Sequence, residues 1–192
     1  GTMAAGLEGR RDDAARLAER GHQVADQIDG LLRFLLALAE VRALTLGGSV
    51  KCWGGNHQGQ LGDGSTQNRL TPVDVQGLGG KVVGITTGGY HSCALLATGV
   101  IQCWGYNNFG QLGNGKNTNS SLPLNVNMQN NGVLVAAGAF HTCVLLNNGN
   151  VKCWGNNNMG ALGDGTTISR ATPTDVLGIN NSAINLALGE SH

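Results

Sequence analysis

The sequence predicts a mainly β fold, built of propeller blades and preceded by an N-terminal α-helix, on three observations. Gly accounts for 32 of the 192 residues with no three-residue period, which signals many tight turns and therefore many short strands. A block opening on Cys-Trp-Gly recurs three times, at spacings of 51 and 50 residues. Residues 1–40 and 41–192 also differ in composition: the first has five Arg and no Asn, the second twenty Asn.

The segment 1–40 reads as a helix behind Gly1-Thr2-Met3, which has the look of a cloning remnant. Ala14, Leu17, Gly21, Val24, Ile28, Leu31, Leu35 and Leu38 alternate three and four residues apart, the spacing of a heptad seam. Ala18, Ala25, Leu32 and Ala39 widen that seam into the stripe of a bundle helix. Two outcomes fit this face: packing against the rest of the chain, or self-association as a coiled coil. Gly21 and Gly30 each weaken a lone helix by about 1 kcal/mol, so it can break at either. The run Leu31–Ala39 is too short to span a bilayer, and the polar face mixes acids with Arg, so no membrane contact is expected.

The segment 41–192 divides into three units, about 41–91, 92–141 and 142–192. After Cys52-Trp53-Gly54, Cys103-Trp104-Gly105 and Cys153-Trp154-Gly155 comes Asn-x-x-Gly-x-Leu-Gly-x-Gly, at 56–64, 107–115 and 157–165. Pro72, Pro123 and Pro173 keep the phase, as do His91, His141 and His192. A period this long, with turn residues at fixed offsets, marks a propeller or a solenoid. Within one unit Val82–Thr87 is a β-branched strand, and Ser92–Leu96 and Val100–Trp104 flank Ala97-Thr98-Gly99 as a hairpin. Thr142–Leu146 and Val151–Trp154 repeat it. Apolar residues take both parities of these strands, so both sheet faces are buried, as stacked blades require. Trp53, Trp104 and Trp154 are the expected core anchors of the blades.

The pattern Cys-Trp-Gly-x-Asn-x-x-Gly-Gln-Leu-Gly-x-Gly, then Thr-Pro-x-x-Val, then Gly-x-x-His-(Ser/Thr)-Cys-x-Leu, resembles the regulator-of-chromosome-condensation repeats, above all their bacterial, Cys-containing form. The resemblance covers about residues 41–192 and leaves the helical segment outside it. It implies one four-stranded blade per repeat, with blade boundaries offset from the sequence repeat, and a chain that binds macromolecules. The eukaryotic namesake is a nucleotide-exchange factor for a small GTPase; this sequence has no inserted wedge and no basic tail to carry that activity over.

Three blades leave sheet faces and strand edges open, whereas closed propellers have typically four to eight. Two chains joined head to tail make six blades with twofold symmetry; three chains would make nine. The last unit reaches Gly189-Glu190-Ser191-His192, where the others continue into His-Ser-Cys-Ala-Leu-Leu and His-Thr-Cys-Val-Leu-Leu. A strand of that kind stands at the front instead, with Val41, Ala43, Leu44 and Leu46 as its apolar residues. The expectation is a homodimeric six-bladed ring in which this closure strand completes the partner's final blade. The alternative is a fragment of a longer propeller, or an engineered one.

Cys93 opposes Cys103 across one hairpin, and Cys143 opposes Cys153 across the next. Each pair can form a cross-strand disulfide, or stay reduced as small apolar core residues. Cys52 opposes position 42, which is Arg. Disulfides would allow an extracellular origin, but no signal segment fixes a compartment. Zero net charge, 12 Lys plus Arg against 12 Asp plus Glu, offers no surface for nucleic acid or anionic lipid. His91, His141 and His192 are candidate metal ligands near the ring axis, but a hydrogen bond to a neighbouring strand is the commoner role. Asp63 and Asp164 sit in Gly-Asp-Gly turns that Gly113-Asn114-Gly115 matches, so turn formation accounts for them. With no phosphate loop, dinucleotide fingerprint, Cys-x-x-Cys or ordered Ser-His-Asp set, neither a catalytic residue nor a cofactor is expected.

The repeats differ from one another at His57-Gln58, Asn108-Phe109 and Asn158-Met159, where loops on a rigid scaffold would meet a partner protein. The expected function is a non-catalytic binding or scaffold module that also binds itself. A purely structural assembly ranks second, and a metal protein or enzyme third.

Overall fold

The computed structural model describes residues 40–129 and 131–190; the segment expected to be helical, up to Ala39, and the third histidine, His192, lie outside them. Residues 40–192 form one compact unit, and its described strands make three antiparallel sheets. The first holds, in order, β1 (Glu40–Leu44), β2 (Val50–Gly54) and β3 (Arg69–Asp74). The second holds β4 (Val82–Thr87), β5 (His91–Leu96), β6 (Ile101–Gly105) and β7 (Ser120–Asn125). The third repeats it with β8 (Gly132–Ala137), β9 (His141–Leu146), β10 (Val151–Gly155) and β11 (Arg170–Asp175).

The β5–β6 hairpin forms where Gly99 supplies a φ of +80° and its N–H donates to the Leu96 carbonyl at 2.9 Å. Cys93 then faces Cys103 and Leu95 faces Ile101. Strand β5 begins one residue before its apolar pattern and β6 runs one residue past Trp104, because His91 still pairs with Gly105. All six residues of β5 and of β9 are buried: a sheet stacks on each face of β5, whereas β9 has the second sheet on one face and Ile179, Ala183, Leu186 and Leu188 over the other. Val50, Cys52 and Leu61 pack with Ala94, Leu96 and Trp104 between the first two sheets. Cys93, Leu95 and Leu112 pack with Val135, Val144 and Trp154 between the second and third. Full burial of one such aliphatic side chain contributes about 1.5–3 kcal/mol.

Strands β4 and β8 contact each other, so these edges of the sheets converge. Among the described residues the first sheet has no strand in that place. Its β1 sits where β5 and β9 sit: Arg42 pairs with Cys52 as Cys93 pairs with Cys103. The β4 phase returns at 183–190, beside the third sheet. There the Ala183 N–H donates to Gly149 O at 3.1 Å, as Val82 donates to Gly48 and Gly132 to Gly99. Likewise Ala139 donates to Glu190 O at 2.8 Å, as Gly89 donates to Ala139 O at 2.9 Å. Segment 183–188 thus lies beside the third sheet at the inner-strand phase, without forming a ladder among the described residues.

Candidate functional site

Successive sheets are joined by the loop that follows each Trp strand. The Trp104 indole N–H and the Ser92 hydroxyl both donate to the Gln60 carbonyl, at 2.8 and 2.6 Å. One sheet on, Trp154 and Thr142 donate to the Gln111 carbonyl, at 2.9 and 3.0 Å. Close approach requires Gly beneath each indole: a Cβ on Gly62 or Gly113 would stand 2.7 Å from the Trp nitrogen, and both have left-handed φ. Trp104 and Trp154 are fully buried in these joints, whereas Trp53, with no preceding sheet among the described residues, is half-buried.

The histidines belong to the same joints. His91 Nε2 lies 2.8 Å from Thr142 Oγ1. Because the Thr142 hydroxyl proton goes to Gln111 O, His91 donates through Nε2–H and its imidazole is neutral. Complete burial, with electrostatic repulsion of its protonated form from Arg42 and His141, pushes its pKa down to about 3. His141 is also buried, and no three His, Cys, Asp or Glu side chains gather among the described residues.

Asn56 braces the first loop, accepting from Leu61 N at 2.9 Å and donating to Asp63 at 3.2 Å. Asn107 and Asn157 repeat this. The Thr166 hydroxyl, 2.7 Å away, and Arg170 hold Asp164 down to about 2. Burial opposes the ionised form of Asp63, but bonds from Ser65 and Arg69 still lower its pKa. These acids fasten turns.

The remaining aromatic side chains gather at one end of the sheets. Phe109 and Phe140 have ring centroids 5.6 Å apart, Tyr106 lies 6.1 Å from Phe140, and Tyr90 lies 6.3 Å from Phe140. These four are all but one of the chain's Tyr and Phe residues. Phe109, expected as an exposed loop residue, is half-buried because its ring packs edge-on against Phe140 and Tyr106. Its counterpart Met159 is 83% exposed. Asn108, Asn158 and His57 are exposed, and Gln58 accepts from Asn119 at 2.7 Å across a joint. Beside Phe140 a cavity of about 210 Å³ is lined by Asn156, Met159, Ala161 and Glu190 among others. It opens because these first three replace Tyr106, Phe109 and Gln111 of the preceding unit. Tyr90 and Phe140 escaped the sequence reading, although both directly precede a repeat His.

Cys93–Cys103 and Cys143–Cys153 are bonded, each with Cα atoms 4.1 Å apart, and Cys52 is buried outside any disulfide. In the closure strand Val41 pairs with Trp53, while Ala43, Leu44 and the following Leu46 are exposed.

Sheets stacked this way, fastened by repeat-phased Trp, His and Asn, define a tandem-repeat β-propeller module of the kind that binds and regulates other proteins. The model of the regulator of chromosome condensation (RCC1) repeat matches residues 47–95, 99–145 and 148–192, and a second RCC1 model matches 82–111 and 133–161. The chain therefore belongs to the RCC1 repeat family. It is 49% identical to human Alsin over 65 residues, which is 33% of this chain and 4% of Alsin. It is 35% identical to the ultraviolet-B receptor UVR8 of Arabidopsis thaliana over 82 residues, 42% of this chain and 19% of the receptor. With human RCC1 domain-containing protein 1 the identity is 41% over 80 residues, 40% of this chain and 21% of that protein. The matched stretch thus spans between 4% and 21% of these relatives. Human WBSCR16 superimposes with a TM-score of 0.67 at 26% identity, covering 78% of this chain and 40% of that one. Prp20p of Saccharomyces cerevisiae shares the fold, with a TM-score of 0.65 at 24% identity over 71% of this chain and 36% of its own.

Proposed function

We propose that the chain is a non-catalytic propeller module that binds a protein through one loop face and closes its ring with a second copy. The observation that carries the binding is the gathering of Tyr90, Tyr106, Phe109 and Phe140 at one end of the sheets, beside the exposed Met159. Aromatic rings and Met on a rigid scaffold are the usual anchors of a protein interface. His57, Gln58, Asn108 and Asn158 form its polar rim. The likeness to Prp20p, whose structure is described with binding properties to Gsp1p and histones, supports a protein ligand. Capture from the source cell on immobilised wild type and on Met159→Asp tests this. The expected result is a partner held by the wild type and lost from a variant of unchanged melting temperature; identical captures refute the loop face.

Ring closure rests on two matching gaps: β1 has no inner neighbour, and 183–188 has no ladder partner among the described residues. In this reading β1, β2 and β3 complete the partner's last blade, and two chains give six blades, within the usual four to eight. Light scattering should give a mass near twice the 19.8 kDa chain, and deleting residues 40–46 should halve it. A single-chain mass for the intact protein overturns closure. A purely structural assembly, with no partner but itself, is the second reading, favoured if wild type and Met159→Asp both capture nothing.

A further inference from the structure

We propose that the third loop, at Gly160 and Gly163, is a preformed seat for Trp53 and Leu70 of a second copy. The inference rests on the ring-closing reading above and adds the residues that make the joint.

The chain holds the same sheet-to-sheet joint twice in full and once in halves. In the full joints Gly62 lies under Trp104 and Gly113 under Trp154. Gly59 approaches the backbone at Ser121 so closely that a Cβ would stand 2.6 Å from its Cα, and Gly110 does the same at Ala171. The Gly64 and Gly115 N–H groups donate to the carbonyls of Ser121 and Ala171, at 3.0 and 2.9 Å.

The third loop carries the same glycines without the neighbour. A Cβ on Gly163 would meet only Val176, and one on Gly160 nothing within 4 Å. Both nevertheless keep φ values of +63° and +74°, against +66° to +82° at their four counterparts in the full joints. Only Gly holds that conformation without strain, so the third loop keeps the shape of the full joints although no sheet covers it among the described residues.

The other half lies at the first sheet. Trp53 stands at the phase of Trp104 and Trp154, half-buried, and Leu70 stands at the phase of Ser121 and Ala171, 92% exposed. An exposed Leu and a part-covered Trp give the first sheet an apolar face at the phase that the full joints cover. The repeat also names the contact atoms. Trp53 Nε1–H donates to Ala161 O of the second copy, as Trp104 donates to Gln60 O and Trp154 to Gln111 O. The Gly165 N–H donates to Leu70 O. Along the inner edge, Ala187 stands opposite Arg42, as Thr86 stands opposite Cys93 and Ala136 opposite Cys143.

Trp53→Ala, Leu70→Glu and Gly163→Leu, each made in the full chain, test the seat by solution mass and by mixing. Each single variant should raise the dimer dissociation constant about 10-fold or more, the range of interface anchors. Mixing Trp53→Ala with Gly163→Leu should restore a dimer, because one of the two joints then pairs an intact Trp53 with an intact Gly163. A side chain acting only within its own chain gives no such rescue. Leu70→Glu, at an exposed site, guards against a folding defect in the others. A wild-type dimer indifferent to all three, but lost on deleting 40–46, overturns the seat alone. A monomeric wild type overturns the ring-closing reading itself.

Discussion

Arg42→Cys should close a third cross-strand disulfide, because Arg42 pairs with Cys52 in the register that joins Cys93 to Cys103 and Cys143 to Cys153. The natural bridges span ten residues, and the new one would span the same. Closing a ring of about 11 residues removes about 9 cal/mol/K from the unfolded chain, or about 2.8 kcal/mol at 25 °C. Against this stand the contacts of Arg42, among them the guanidinium bond to Thr86 O, which at 3.4 Å contributes less than about 1 kcal/mol. A net gain of about 2 kcal/mol raises the melting temperature of a domain this size by about 4–8 °C. Removing the Arg42 charge also lets the His91 pKa rise, since that charge helps to hold it down. Thiol titration in denaturant reads the bond directly: one thiol in wild type, none in the oxidised variant. Two reactive thiols in the variant would show that β1 does not pair with β2 in this register, and would refute the reasoning.

Three further outcomes follow from the joints. With the His91 pKa at about 3 against 6.5 when free, the unfolded chain takes up the proton first as pH falls. The stabilisation is whole above about pH 6.5 and drains toward pH 3, at up to about 1.4 kcal/mol per pH unit. Urea midpoints across that window measure the slope, which should shrink in His91→Gln; a flat profile contradicts the neutral imidazole. Thr142→Val strips a partner from both His91 and the Gln111 carbonyl, and should cost about 1–3 kcal/mol by chemical denaturation, with Thr142→Ser recovering most of it. Gly113→Ala, strained at φ +66° and pressed against Trp154, should lower the melting temperature more than Gly178→Ala, which has φ +82° but open space around it.

The hairpins were legible because their information is local and repeated. The turn at Ala97-Thr98-Gly99 sets the β5–β6 register, and Arg42 at a Cys phase marked β1 as the strand opposite Cys52. The inner-strand phase of 183–188 was equally open to reading, but the bonds Ala183 to Gly149 and Ala139 to Glu190 were not, since they join stretches far apart in the chain. The aromatic cluster was hidden for the same reason: Tyr90 and Tyr106 end different strands, and only sheet stacking brings Phe140 to both. Phe109 misled because loop position suggests exposure, while an apolar ring within reach of another folds onto it. The cavity beside Phe140 depends on what is missing, the bulk of Tyr106 and Gln111 at Asn156 and Ala161, which a pattern of shared residues does not display.

Amide hydrogen exchange across residues 183–188, measured on the full chain at a concentration that favours association, tests ring closure most directly. Closure by a second copy predicts that these amides exchange as slowly as those of β4 and β8, because β1 of the other chain completes their ladder. Exchange there at the rate of an unpaired segment, while β4 and β8 stay protected, would contradict it.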